Sequence, residues 1–338
     1  MNPKIAIAIL NWNGLTFLQR FIPILTKYSD YPNVKIWVID NGSTDKSVEW
    51  LQKEYDSIEI VKLDKNYGFT GGYNRGLKEI NAQYFVILNS DIEVTPGWLL
   101  APIEILENNP QIAAVSPKIR ALANREMFEY AGAAGGFIDK LGFPFCRGRI
   151  ISSTELDFRQ YDSTIPIFWA SGACMFIKAE LFHKVGGFDE NFFAHMEEID
   201  LCWRLKNLGY DIYNVHNSIV YHVGGGTLPN ENPRKIYLNY RNNLLLLYKN
   251  LPSKDWRKIF AVRIIFDLFA LIVFVAQRKA KFALSIVKAY RDFFKLKKLY
   301  IGQTYYQNAF KHKEILKKSI VVQYFIRKKR KFSEINFN

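Results

Sequence analysis

The sequence predicts an α/β fold: a mainly parallel sheet with flanking helices, followed by a basic, amphipathic helical C-terminal region. Three observations carry this. Short β-rich apolar runs alternate with helical patterns through the first hundred residues, which is how parallel strands joined by helical crossovers read. The runs are of the buried type, with Ile5 to Leu10 continuously apolar, as strands covered on both faces are. Each run closes on a polar cluster, and in open sheets of this kind ligands sit beyond the carboxyl ends of the strands. With 338 residues, 49% hydrophobic and 23% charged, the chain buries a sizeable core, which excludes a disordered or collagen-like protein.

The elements follow in order. Ile5 to Leu10 is the first apolar run and ends in Asn11-Trp12-Asn13-Gly14; Leu15 to Tyr28 has helical spacing. Val34 to Ile39 is the second run, closed by Asp40-Asn41-Gly42-Ser43-Thr44-Asp45, where Ser43 or Thr44 is expected to cap a helix reaching Tyr55. Glu59 to Leu63 is a third strand, Gly72 to Ile80 a helix, and Tyr84 to Leu88 a fourth strand. From Pro96 to Tyr221 the pattern is less regular, with a strand at Ala173 to Ile177 and a helix at Ile199 to Leu208. The turn-rich stretch Pro229-Asn230-Glu231-Asn232-Pro233 marks a boundary, with residues 1–230 as one unit (a first half to about 95 and a second half from 96, where a second ligand would be received) and 231–338 as a helical region.

Charge divides at the same place. The net +14 is the sum of a tail from Glu231 with 25 Lys+Arg against 6 Asp+Glu, +19, and a body at −5. The tail's basic clusters (278–281, 295–298, 327–331) are interleaved with Phe, Tyr, Leu and Ile, which suits an anionic membrane surface better than a nucleic acid. Ile259 to Ala276 is apolar except for Arg263 and Asp267, four apart on one helical face; its longest unbroken apolar run, Leu268 to Ala276, falls short of the roughly twenty residues of a simple span. A helix lying in the interface is therefore expected, with a single span as the alternative. Cys146, Cys174 and Cys202 show no paired metal spacing and fit a reduced, cytosolic protein. The apolar run near the N-terminus is too short for a signal-peptide core.

Four clusters carry candidate chemistry. Asp40, at a strand end, can accept the N3–H of a uracil or thymine ring, and the Asn41-Gly42 turn lets backbone approach a nucleoside; a helix-capping turn is the plainer reading. Asn66-Tyr67-Gly68-Phe69-Thr70-Gly71-Gly72-Tyr73-Asn74 leads glycines into a helix, where backbone N–H groups can meet phosphate. Asn89-Ser90-Asp91 follows the fourth strand, and a carboxylate there can hold Mg²⁺ or Mn²⁺ against a diphosphate. Glu197, Glu198 and Asp200 crowd three carboxylates at a helix start; their repulsion raises at least one pKa and suits a base near neutral pH, although acids also favour helix N-termini for the dipole alone.

In their order and spacing these clusters, over residues 4–250, resemble glycosyltransferase family 2, inverting enzymes with a GT-A type, Rossmann-like fold, and most of all its bacterial rhamnosyltransferase-like group. The resemblance implies a nucleotide-sugar donor, UDP- or dTDP-linked, and a saccharide or polyprenyl-linked acceptor in cell-surface polysaccharide synthesis at the cytoplasmic face of the inner membrane. It implies that Asp40 contacts the base with Asn11 and Asn41 beside it, that Asn66, Gly71 and Asn74 border the donor, and that Asp91 binds the metal with Asn89 in place of an acidic partner. His222, after Ile219-Val220-Tyr221, matches a histidine of the metal or diphosphate site, and Glu198, the second acid of its pair, matches the catalytic base with Glu197 and Asp200 in support. Trp169 and Gly172 fall in the acceptor segment; Arg241 is a candidate for a phosphate. A nucleotidyltransferase would carry a Gly-rich, Arg- and Lys-bearing loop after the first strand, which this chain lacks, and a catalytically silent binding scaffold is the remaining rival.

Overall fold

The computed structural model describes residues 4–224, 232–301 and 312–337. The strands are β1 (Ile5–Asn11), β2 (Val34–Asp40), β3 (Glu59–Lys62), β4 (Tyr84–Asn89), β5 (Ile92–Val94), β6 (Ile112–Ala121), β7 (Gly136–Asp139), β8 (Pro144–Cys146), β9 (Arg149–Ile150), β10 (Ser153–Thr154), β11 (Ile165–Ile167), β12 (Cys174–Lys178), β13 (Asp211–His222) and β14 (Ile315–Leu316). The helices are α1 (Leu15–Tyr28), α2 (Ser47–Glu54), α3 (Gly68–Lys78), α4 (Leu100–Asn108), α5 (Ala179–Lys184), α6 (Glu197–Asn207), α7 (Pro233–Asn250), α8 (Ser253–Ala276), α9 (Ala280–Leu296) and α10 (Ile320–Phe325).

The main sheet runs β11-β13-β6-β12-β4-β1-β2-β3, with β5 on β13. Strands β3, β2, β1 and β4 are parallel, so Asn11, Asp40 and Asn89 end together at one edge. Beyond β4 the pairing is mixed: β12 is antiparallel to both β4 and β6, and β13 is parallel to β6. Side chains alternate across the sheet. Ile7 and Ile9 of β1 and Val86 and Leu88 of β4 join a core with Leu18, Ile22 and Leu106 of α1 and α4, whereas Ala6, Ala8, Phe85 and Ile87 face Tyr73, Leu77, Leu201 and Leu205 of α3 and α6. Helix α3 lies so close to β2 that a Cβ at Gly76 would sit 2.4–2.6 Å from Ile39.

Some local expectations shift. Neither Ser43 nor Thr44 caps α2: the Asp45 carboxylate accepts the Ser47 N–H at 3.1 Å and the helix starts there, while the Ser43 hydroxyl is engaged with Asn11 and Asn13. Helix α3 starts at Gly68, four residues earlier than its periodicity suggests, because Gly68 supplies the positive φ of +73° that the entry turn needs.

The boundary expected at 230 lies within 225–231, outside the described residues. On its far side the chain packs into the body. A second sheet, β10-β9-β8-β7-β14, takes its last strand from Ile315–Leu316, parallel to β7. Phe332 and Phe337 join Phe137 and Phe145 in one aromatic cluster. The Ile320 N–H donates to the buried Asp139 carboxylate, which also accepts from Leu141 and Phe143. Burial pushes Asp139 up to about 6 against the pull of those three N–H groups. A carboxyl whose folded pKa is raised contributes stability that is full below about pH 4 and is lost as pH rises through 6. Asp139→Asn is accordingly expected to flatten the fall in Tm between pH 5 and 7; an unchanged slope in melting curves across that range counts against it.

Candidate active site

The parallel strand ends assemble the first part of the site. Asn11 is fully buried; its Nδ2 lies 3.2 Å from Asp40 Oδ1, 3.1 Å from Ser43 Oγ and 2.9 Å from Ser47 Oγ, while its Oδ1 is buried with no hydrogen-bond partner. Asp40 Oδ2 accepts the Ser43 N–H at 3.2 Å. Asn41 reaches across to the loop before α3, donating to Asn66 Oδ1 at 3.2 Å and Gly68 O at 3.0 Å and accepting from the Tyr67 N–H. Asn66 in turn accepts the Gly68 N–H at 2.8 Å. The sequence-expected residues Asn11, Asp40, Asn41 and Asn66 thus form one connected network at the mouth of β1 and β2. Gly71, one helical turn on, leaves no room for a Cβ, which would meet Tyr67 and Arg75 at 2.9 Å.

The second part lies at the ends of β4 and β13. Asn89 closes β4, its N–H bonded to Ala173 O. Two residues on, Asp91 Oδ1 stands 3.2 Å from His222 Nε2, both side chains buried, because β5 pairs with β13 in a register that sets Ile92 opposite His222. On the other side of the imidazole, Nδ1 lies 3.4 Å from the Glu129 carboxylate, which is itself buried and accepts the Ala131 N–H. Burial disfavours a charged His222, but the bonds to Asp91 and Glu129 outweigh it and raise its pKa to about 10. Nothing in the sequence flags Glu129: it stands alone between Phe128 and Tyr130, and only the fold brings it to His222.

A carboxylate oxygen and an imidazole nitrogen converging at a strand end are a donor pair suited to Mn²⁺ and acceptable to Mg²⁺ once the ion displaces the Nε2 proton, with phosphate oxygens and water for the other positions. Among the described residues no group of three His, Cys, Asp or Glu assembles to hold a metal, so an ion here depends on the substrate to complete its shell.

The third part is the start of α6. Glu198 is half-buried at the second helical position, and the backbone of Gly172 lies against it: a Cβ there would sit 3.7 Å from Glu198 Cβ and 3.4 Å from the Phe69 ring. Burial pushes Glu198 up to about 7, against the downward pull of backbone N–H groups at the helix start. Glu197 is buried and raised well above the carboxylate range, first by burial and then by the charge of Glu198. Neither carboxylate is fully satisfied, since the Oε2 of each is buried without a hydrogen-bond partner.

Four expected site residues have other employment. Asp200 is fully buried among Arg204 Nε, Lys249 Nζ and Asn250 Nδ2, each at 2.9 Å; burial would raise its pKa, but these cations and the amide hold it below the usual carboxylate range. It anchors α6 to α7 and stays ionised, the reverse of Glu197 three residues before it. Asn74 makes a two-way bond with the backbone of Phe188, at 2.7 and 2.9 Å. Trp169 is a core residue whose ring covers Gly136 and whose Nε1–H donates to Phe137 O. Arg241 spends Nε and Nη2 on the protein, donating to Asn191 O and Phe192 O at 2.8 and 2.9 Å and to Asn242 Oδ1, and its Nη1 meets the Tyr237 hydroxyl at 3.3 Å.

A parallel half of the sheet, a mixed half and flanking helices make up a GT-A glycosyltransferase fold, and solved structures of that class overlay the chain. The S. aureus TarS 1–349 complex with UDP-GlcNAc matches 86% of this chain and 81% of its own at a TM-score of 0.55 and 14% identity. A mannosyltransferase from Pyrobaculum calidifontis, solved with GDP-Man and Mn²⁺, covers 97% and 89% at a TM-score of 0.53 and 14% identity. GalNAc-T7, with UDP, GalNAc and Mn²⁺, aligns at a TM-score of 0.58 and 16% identity over 75% of this chain and about half (49%) of its own. The family model for Glycosyl transferase family 2 matches residues 6–186, and the chain belongs to that family. It is a glycosyltransferase. Among curated relatives, the N-acetylglucosaminyl-diphospho-decaprenol L-rhamnosyltransferase of Mycobacterium tuberculosis is 25% identical over 67% of this chain and 78% of its own. The low-salt glycan biosynthesis hexosyltransferase Agl10 of Haloferax volcanii is 25% identical over 62% and 65%.

Proposed function

We propose that the protein transfers a sugar, with inversion, from a UDP- or dTDP-linked donor, dTDP-rhamnose foremost, to a lipid-linked saccharide in cell-envelope polysaccharide synthesis. The observation that carries this reading is Glu198: a half-buried carboxylate at the start of α6, backed by Gly172 and by the loop that opens α3. Its carboxylate takes the proton of the acceptor hydroxyl as that oxygen attacks the anomeric carbon. The bond from that carbon to the diphosphate breaks, the nucleoside diphosphate leaves with the electron pair, and Glu198 later gives its proton to water. Asp40, with Asn11 and Asn41, receives the base, and the α3 entry with Asn66 and Gly71 borders the diphosphate by its shape, since its N–H groups at Tyr67, Gly68, Phe69 and Thr70 are taken by Asn41, Asn66 and Phe193 O. Asp91 and His222 would hold a divalent metal, which supplies positive charge beside the departing diphosphate. Glu129 fixes the imidazole from behind, as carboxylates behind ligating histidines do. Asp91→Asn is expected to weaken Mn²⁺ binding about tenfold to a hundredfold, read by metal titration of nucleotide binding; equal metal affinity would remove Asp91 from that role.

The surface of α8 and α9 supports a membrane-held acceptor. Helix α8 has 24 residues and mean hydropathy 2.6 over its most apolar stretch, of which 11% is buried. Its polar pair points inward: Arg263 and Asp267 are each 2% exposed, bonded to each other, to Leu141 O and to the Tyr290 hydroxyl. Its apolar side points outward, with Ile265 and Phe269 each 68% exposed and Leu268, Ile272 and Val275 beside them. Leu284, Val287 and Phe294 of α9 are also exposed. That inversion of a water-facing helix suits lipid. The middle of α8 is fastened to the body through Arg263 and through Phe266 against Phe143, which supports a helix lying along the interface rather than across it, and our reading puts that interface at the cytoplasmic face of the inner membrane.

Product analysis with UDP-, dTDP- and GDP-sugars tests the reaction. Release of free nucleoside diphosphate with a glycosylated lipid is expected. Pyrophosphate, or tight nucleotide binding with no turnover on any donor, would overturn it.

A further inference from the structure

The segment joining the 3₁₀ turn at Glu190–Phe192 to α6 is held in a shape its own residues disfavour. Phe193, His195 and Met196 have φ of +65°, +70° and +72°, three side-chain-bearing residues in left-handed backbone within four positions. Such residues persist only where the surroundings impose them. Here the imposing groups come from α7. Asn242, fully buried, places Nδ2 at 2.9 Å from Phe192 O, 2.8 Å from Ala194 O and 2.7 Å from His195 O. Arg241 donates to Asn191 O and Phe192 O, and its Nε and Nη2, at 2.9 and 2.7 Å from Asn242 Oδ1, turn the Asn242 amide so that its hydrogens face the carbonyls.

What the turn carries makes this more than packing. Met196 O accepts the Asp200 N–H, the first helical bond of α6, so the end of the turn sets the helix start on which Glu198 stands. Phe193 O accepts the N–H groups of Phe69 and Thr70 at 2.9 and 3.3 Å, and the Phe193 ring fills the space over Gly68, where a Cβ would lie 2.6 Å from it. One turn therefore touches both the helix bearing the carboxylate and the loop opening α3, and both attachments depend on carbonyls gripped from α7.

We propose that Arg241 and Asn242 are positioning residues of the transfer reaction, holding the 191–196 turn so that Glu198 and the α3 entry loop keep a fixed relation to one another. The inference rests on Glu198 as the base. It gives Arg241, expected from the sequence to read a phosphate, a role that acts through backbone instead.

The test compares Asn242→Ala, Arg241→Lys and Arg241→Met in the full-length protein. Asn242→Ala is expected to lower kcat about a hundredfold, as small misplacements of a catalytic group do, with nucleotide Kd within about threefold. The acid limb of its pH–rate profile should move from near 7 toward an ordinary glutamate, because a loosened turn admits water to Glu198. Hydrogen exchange at the Phe69 and Thr70 amides should quicken while the β1 and β2 amides stay protected. Arg241→Lys, which keeps the charge but not the Nε and Nη2 edge on Asn242 Oδ1, should fall between wild type and Arg241→Met, and it serves where Asn242→Ala does not fold. Folded variants with unchanged kcat and pH profile would overturn the proposal, as would weakened nucleotide binding at unchanged kcat, the mark of a phosphate reader. If the wild type transfers no sugar from any donor, the assignment of Glu198 falls, while the exchange at Phe69 and Thr70 still decides whether the turn is clamped.

Discussion

Glu198→Gln is expected to lower kcat about a thousandfold or more, in the range a positioned general base supplies, while nucleotide affinity stays within about threefold of wild type. Glutamine keeps the volume and the acceptor oxygen but cannot take a proton. The same carboxyl sets the pH dependence. With its pKa pushed up to about 7, the base is half protonated near neutrality, so kcat/KM should rise tenfold per pH unit below about 6 and level above about 8. Glu197 is the more deeply buried of the two, and burial followed by the charge of Glu198 raises it well above the carboxylate range, which favours its neutral form and leaves the limb to Glu198. Glu197→Gln should therefore retain most of the rate and leave the limb near 7, because Glu198 is raised by burial and not by its neighbour's charge. A Glu198→Gln enzyme of normal turnover, with product formed and nucleotide bound, would take the base away from this residue.

How much of this could be read from the chain depends on how far apart the cooperating residues lie. The strand ends were legible, because a buried parallel strand is a continuous apolar run and its last residue is the first polar one, as at Asn11 and Asp40. The Asp91–His222 pair was reached by family resemblance, and sheet register brings the two together across 131 positions. The second sheet was not legible: β7 to β10 are two to four residues long, too short for a period to show, and their last partner, β14, comes from near the other end of the chain. Charge misled for a related reason. Arg241, Lys249 and Arg263 count toward the tail's +19, yet each is buried against the body, two on carboxylates and one on backbone carbonyls. Asp200 reads as one more acid at a helix start until Lys249 and Asn250, half a hundred residues on, turn out to surround it. Residue type and local spacing suggest a chemistry, but whether a polar side chain faces a ligand or a neighbour is settled by partners distant in sequence.

That same burial decides how the membrane contact is to be tested. Deleting everything after residue 250 would strip Trp256, Phe293, Tyr300, Leu316, Ile320 and Tyr324 from the hydrophobic core, so loss of lipid binding in such a fragment could reflect misfolding. Substitutions on the outward face avoid this, since Ile265 and Phe269 touch little of the protein and lie on the side opposite Arg263. Burying an aliphatic or aromatic side chain of this size in lipid contributes about 2 kcal/mol each, and two aspartates add desolvation and repulsion from anionic headgroups. Ile265→Asp with Phe269→Asp is accordingly expected to weaken binding to vesicles of anionic phospholipid by at least about a thousandfold, with Tm unchanged or raised, because exposed apolar area is being removed. Neutralising Lys279, Lys281 and Lys295 should cost less, up to about 1 kcal/mol for each residue at the surface, and its effect should vanish on zwitterionic vesicles or at high salt. Transfer to a short water-soluble acceptor should survive the aspartate pair, while transfer to a polyprenyl-linked acceptor embedded in vesicles should fall with binding. Flotation that the aspartate pair leaves untouched would move the lipid contact elsewhere on the molecule, and with it the argument that the acceptor is held in the bilayer.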